Sequence, residues 1–291
     1  MDSIEPRRIS RLQRALGAWC CGWLVACGGG GDGPGAQVAA APTAPAAPAS
    51  PTTLVGRDFG LQGAFGGTLT GTNSQDIILV TDGIGSLWAV YGTDAANDFK
   101  VAGLLTGDYN STSTTTRYRS DGVDWGATGT AWGLWQSVQL ELPLDPTTPT
   151  MSGTVTSAIG ARTIAGGALP ADRYQLAAPA TLDPVRGHWD LTTSQGRQLS
   201  IDIAADGVIS GTSGQCAVRG AIKPSVSGHN VFALAMSFQA GAYSCDSEPH
   251  AGSDGVYGFA LAYAPIGGGL QLVIGAWNGW DPIHLAAAGK R

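Results

Sequence analysis

The chain has 291 residues, 44 of them Gly, with 13% charged and 8% aromatic residues and a formal net charge of −6. Soluble domains average about 7% Gly and about 25% charged residues, so Gly is doubled here and charge halved. Lys occurs only at 100, 223 and 290, and Glu only at 5, 141 and 248. These two residues normally cover the wet faces of helices, so the composition excludes a helical bundle. A hydrophobic content of 43% excludes a wholly disordered chain. No run of 18 apolar residues is present to span a membrane as a helix. An acidic balance with no basic cluster excludes an electrostatic nucleic-acid binder and predicts no nucleic-acid partner.

At the N-terminus, Arg7, Arg8, Arg11 and Arg14 precede an apolar stretch from Ala15 to Ala26. That stretch fits a signal-peptide core and is too short to cross a bilayer. It ends Leu24-Val25-Ala26-Cys27, which resembles the lipobox of bacterial lipoproteins. The resemblance implies that the Cys27 thiol is alkylated by diacylglycerol. The leader 1–26 is then cut off and the new amino group acylated. Gly28 in place of Asp implies sorting to the outer membrane of a Gram-negative cell, facing periplasm or cell surface. The membrane partner is then reached through the lipid. The leader carries four Arg and two acids, so its removal leaves the body more acidic still.

Residues 27–56 follow as Gly-rich and then Ala/Pro/Thr-rich sequence. Nothing in that stretch packs a core, and it reads as a lipidated tether. Of five Cys, Cys20 and Cys21 leave with the leader and Cys27 takes lipid. Cys216 and Cys245 remain, an even pair in an oxidising compartment, which predicts a disulfide. Neither has a second ligand at C-x-x-C spacing, which disfavours a metal site.

From residue 57 onward, short runs of period-two alternation are broken by Gly, Asp-Gly and Asn-Gly, the pattern of strands and tight turns. Phe232, Leu234, Met236 and Phe238 alternate with small residues. So do Tyr257, Phe259, Leu261 and Tyr263, while Leu270, Leu272 and Ile274 alternate with Gln271, Val273 and Gly275. A repeat appears at a shift of 124 residues. Gly63, Thr68, Ile77, Asp82, Gly83 and Ser86 match Gly187, Thr192, Ile201, Asp206, Gly207 and Ser210. Strands are expected near 65–71, 75–81, 86–92, 100–109, 114–119, 135–142, 150–158 and 161–168. In the second copy they are expected near 188–193, 198–204, 207–212, 217–223, 231–238, 255–263, 270–277 and 283–288.

Eight short strands per copy predict an all-β chain of two tandem antiparallel meander barrels, 57–178 and 179–291. One large β-sandwich is the alternative. Gly187-x-Trp189 resembles the opening of calycin-type (lipocalin-like) barrels; the first copy has Phe65 where the second has Trp. The Asp-Gly pairs at 82–83, 121–122, 206–207 and 254–255 lack a calcium-binding ladder and are expected to be turns.

No nucleophile motif, zinc motif or phosphate loop is present, so no catalytic residue, cofactor or metal is expected. The four His are scattered and read as surface or rim residues. The segment 125–135 concentrates Trp125, Trp132 and Trp135 among Gly and Thr. It is expected to offer an aromatic contact surface, with Trp125 and Trp132 binding a protein or glycan partner. Packing of these Trp on their own barrel is the competing reading, and Trp277-Asn-Gly-Trp280 has the same two. The function that results is a non-catalytic binding module anchored in the outer membrane. The alternatives are a carrier of an apolar small molecule inside a calycin-like barrel and an enzyme with an unrecognised site.

Overall fold

The computed structural model describes residues 62–71, 73–82, 86–109, 117–126, 135–143, 150–239, 255–279 and 284–291. Short alternating runs separated by turn residues give strands throughout. In the first half these are β1 (Gln62–Thr70), β2 (Ser74–Asp82), β3 (Ser86–Thr93), β4 (Lys100–Tyr109), β5 (Arg117–Trp125), β6 (Trp135–Pro143), β7 (Thr150–Ser157) and β8 (Gly160–Ala168). In the second they are β9 (Gly187–Thr193), β10 (Gln198–Ile203), β11 (Val208–Ser213), β12 (Cys216–Pro224), β13 (Phe232–Gln239), β14 (Val256–Tyr263), β15 (Gln271–Trp277) and β16 (His284–Lys290). Each set forms a closed antiparallel barrel in sequence order. The ladder from Phe65↔Ala168 to Thr70↔Thr163 closes the first, and Ala287↔Thr193 with Ala288↔Thr192 closes the second. Closure removes every free sheet edge and excludes the sandwich. Among the described residues no helix is long and apolar enough to cross a membrane.

Inward positions fill each lumen with the chain's own side chains. In the first barrel Phe65, Leu69, Ile77, Leu79, Leu87 and Leu140 interlock with their neighbours. In the second, Trp189, Ile201, Phe232, Leu234, Met236 and Phe238 do the same. Trp189 donates from Nε1 to the Val185 carbonyl at 2.7 Å, and the Arg291 guanidinium lies 4.5 Å over its ring. Arg291 also donates to the carbonyls of Pro184, at 3.1 Å, and Arg186.

The barrels are joined by a shared apolar seam within one compact unit. Ile78, Val80, Val90 and Leu104 point outward from the first barrel against Phe259, Leu261, Val273 and Ala286 of the second. Gly275 permits this approach: a Cβ there would lie 2.8 Å from Leu104 Cδ1 and 2.5 Å from Phe259 Cε1. Polar groups fix the alignment. The Phe99 N–H donates to Gln271 Oε1 at 3.2 Å, the Tyr263 hydroxyl to the Ala95 carbonyl at 2.7 Å, and the Ile266 N–H to the Ala96 carbonyl at 2.6 Å. Asp94, at φ 58°, starts the turn that presents these carbonyls, and Asp76 Oδ2 accepts the Ala95 N–H at 2.7 Å. The connection between barrels is pinned too, since Arg173 and Ala264 exchange backbone and side-chain bonds at 2.9 Å.

Two expectations are corrected. The fifth strand runs from 117 to 125 rather than 114 to 119, so Asp121-Gly122 lies inside a strand and is not a turn. Gly is needed there for close approach: a Cβ on Gly122 would sit 2.1 Å from the Thr106 carbonyl oxygen. The large residues of β14 face the seam, while its small residues Ala260 and Ala262 face the lumen.

The seam generates a stability expectation. Leu104 is fully buried there, so Leu104→Ala should lower unfolding free energy by about 2–5 kcal/mol. Because both barrels depend on the seam, far-UV circular dichroism and Trp fluorescence should still report one coincident denaturant transition. Two separated transitions in the wild type would refute the shared core.

Candidate functional site

One cluster of aromatic residues forms where β5, β6, β14, β15 and β16 meet across the seam. Trp125, the last residue of β5, is directly opposite Trp135, the first of β6. Trp277, the last residue of β15, is opposite both Tyr257 of β14 and His284 of β16. Trp125 brings the two groups together. Its ring centroid lies 6.4 Å from Trp135 and 5.9 Å from Trp277, and it stacks on His284 at 4.7 Å with planes 17° apart. His284 Nε2 lies 3.2 Å from the Gln195 amide nitrogen. Further along the seam Trp88 meets Phe259 at 6.2 Å.

Trp125 is therefore not an exposed contact residue. It is 2% exposed and packs between the barrels, because the outward positions at the end of β5, Val123 and Trp125, face the second barrel rather than solvent. Trp132 and Trp280 lie outside the described residues. The exposed ring faces belong to Trp135, at 50%, and Tyr257, at 51%, with Trp277 half-buried between them. His284, expected on the rim, is buried under Trp125. One buried polar atom here, Trp125 Nε1, has no hydrogen-bond partner among the described residues. The sequence marked Trp125 and Trp135 in one segment and Trp277 in another. No local signal shows that residues 150 positions apart share one cluster.

A second group lies at the same end of the first lumen. The Tyr91 hydroxyl donates to Asp124 Oδ1 at 2.7 Å, and Arg162 donates to Asp124 Oδ2. The guanidinium carbon of Arg162 also sits 5.6 Å above the Tyr91 ring. Burial pushes the Asp124 carboxyl above its usual range, opposed by Arg162 and the Tyr91 hydroxyl. Burial and the facing carboxylate push the Tyr91 hydroxyl up as well. Gly103 makes room for this pair, since a Cβ there would lie 2.3 Å from the Tyr91 hydroxyl. Both carboxylate oxygens are engaged, so the group acts as an ion-paired plug rather than an acid awaiting substrate.

The outer face of β9 and β10 holds a group the sequence did not reveal. His188 Nδ1 lies 3.0 Å from Asp202 Oδ1, while its Nε2 lies 3.3 Å from Asp190 Oδ1 and 3.4 Å from Ser200 Oγ. Residue types and order match a hydrolytic triad, but the chemistry does not. Hydrogen bonding to Asp202 leads the effects that raise the His188 pKa, with the Asp190 charge adding to it. Ser200 is paired in ladders on both sides, which leaves no free amides nearby to hold an oxyanion. No group of three His, Cys, Asp or Glu among the described residues could hold a metal ion.

Cys216 opens β12 and is buried, whereas Cys27 and Cys245 lie outside the described residues.

These features define an all-β protein of two closed eight-stranded barrels with filled lumens and an aromatic seam. No family model matches the chain, and no curated protein matches it. Among solved structures it is similar to the isotype 1 transferrin binding protein B from serogroup B Neisseria meningitidis, at 9% identity and a TM-score of 0.24. The similarity spans 75% of this chain and 65% of that one, and it is too slight to carry any conclusion about function.

The His188 group gives a pH expectation. A His whose folded pKa is raised contributes stability in full below its unfolded pKa of about 6.5 and loses it as pH rises through the folded value. A nuclear magnetic resonance titration of the His188 ring should place its midpoint above 6.5, and Asp202→Asn should lower that midpoint. A midpoint at or below the free value would contradict the paired geometry.

Proposed function

We propose that the chain is a lipid-anchored outer-membrane lipoprotein whose two-barrel body is a non-catalytic binding module at the cell envelope. The leader is 1–26, the lipid is carried on Cys27, and the tether is 27–56. The barrel domains are 57–178 and 179–291. One observation supports binding over carriage: both lumens are filled by interlocked side chains of the chain itself. A carrier needs a chamber, and here Trp189, Phe232 and Phe238 occupy the place of a ligand. An enzyme needs a free acid, base or nucleophile. Of the two groups that resemble one among the described residues, Asp124 is engaged on both oxygens by Tyr91 and Arg162, and Ser200 sits in ladders on both sides. What the body offers a partner is its outer surface, where the half-exposed aromatics lie.

The anchor is tested by Cys27→Ser. The variant should retain its leader and incorporate no labelled fatty acid, and an unmodified Cys27 in mature wild type would overturn the assignment. Cross-linking on intact cells should move the wild type into adducts of higher mass. A protein recovered only as itself would overturn the binding role.

A disulfide between Cys216 and Cys245 belongs to the same proposal, since an oxidising compartment supports it. Closing a loop of roughly 30 residues contributes about 3–4 kcal/mol in the chain-entropy model. Non-reducing peptide mapping should recover the two Cys in one linked peptide, and free-thiol labelling of both would reject the pairing.

A further inference from the structure

We propose that the aromatic row across the seam is a binding site for neutral glycans, with sugar rings lying on Trp135 and Tyr257; this rests on the binding-module reading. The row runs Trp135, Trp125, Trp277, Tyr257, and its first two members come from the first barrel and its last two from the second. Its middle is buried and its two ends are half-exposed. The stacked Trp125–His284 pair therefore holds two open ring faces at fixed separation on a rigid base. An aromatic face attracts the aliphatic C–H groups of a pyranose ring, because the π face carries the negative part of the ring quadrupole.

The surroundings favour an uncharged, hydroxyl-rich ligand. Outward neighbours along β6 are Ser137 and Gln139, and Tyr257 lies opposite Ala235 on β13, one step from Ser237. On β5 the nearest outward charge is Asp121, four residues from Trp125, about 13 Å along a strand. A chain of net charge −6 repels acidic polymers. A protein partner fits less well. Half of two aromatic side chains offers about 200 Å², against roughly 800 Å² per partner in a stable protein interface.

The test uses the mature lipidated protein in detergent, run on native gels containing dextran, galactomannan or a β-1,3-glucan, with hyaluronate as the acidic comparator. At least one neutral polymer should retard the wild type and hyaluronate should not. Trp135→Ala and Tyr257→Ala should each weaken retardation at least about tenfold with unchanged melting temperature, since both side chains are half-exposed. No retardation by any neutral polymer, retardation by hyaluronate alone, or retardation indifferent to both substitutions overturns the proposal. If glycan binding fails while cross-linked adducts persist on cells, this site assignment falls and the wider binding role stands. If both fail, the wider role falls too.

Discussion

A strand in an isolated barrel has a dry face and a wet face, and its sequence alternates accordingly. The strands that meet at the seam are dry on both. Gln271 to Ala276 of β15 and His284 to Gly289 of β16 are buried without interruption, and so are Ile77 to Val80 of β2. This two-sided burial is the constraint that the remaining features serve. Gly275 keeps the sheets close enough to touch, Ala286 and Ala288 keep β16 thin, and the turn from Asp94 supplies the carbonyls that Tyr263 and Ile266 bind. Apolar packing has no preferred direction, and these hydrogen bonds add one.

Much of the fold is legible because closed meanders are local. Each strand pairs with the next, so alternation and turn residues together predict order and pairing. The repeat adds an instructive detail. Ile77 lies opposite Gly67, yet its equivalent Ile201 lies opposite Trp189, two residues before the position the repeat would give. An offset of two preserves the face of every side chain, so Ile77 and Ile201 both point into their lumens. An offset of one would have turned the apolar face of one strand of the second barrel outward.

The candidate site is less legible because it depends on how two barrels meet. Trp125 read as exposed because Gly and Thr follow it. Its burial comes from Trp277 and His284, which nothing in the local sequence connects to it. The buried plug was hidden in the same way. Tyr91, Asp124 and Arg162 lie on three strands at unremarkable spacing, and only barrel closure brings them together. The large face of β14 points away from its own lumen for a related reason. Alternation states that one face is dry, and which side of the sheet that is depends on the neighbouring barrel.

Filled lumens and a shared seam also govern where function can reside. A hollow barrel offers its interior and uses loops as a gate. Two solid barrels fused along one wall offer an exterior whose features depend on their mutual placement. The aromatic row is such a feature, because neither barrel alone contributes more than half of it. A rigid join holds Trp135 and Tyr257 at a fixed spacing and spares a ligand the entropic cost of ordering them. On the proposed lipid tether, such a rigid surface would meet envelope ligands at an effective concentration set by tether length, so that modest contacts at each ring would suffice for residence at the membrane.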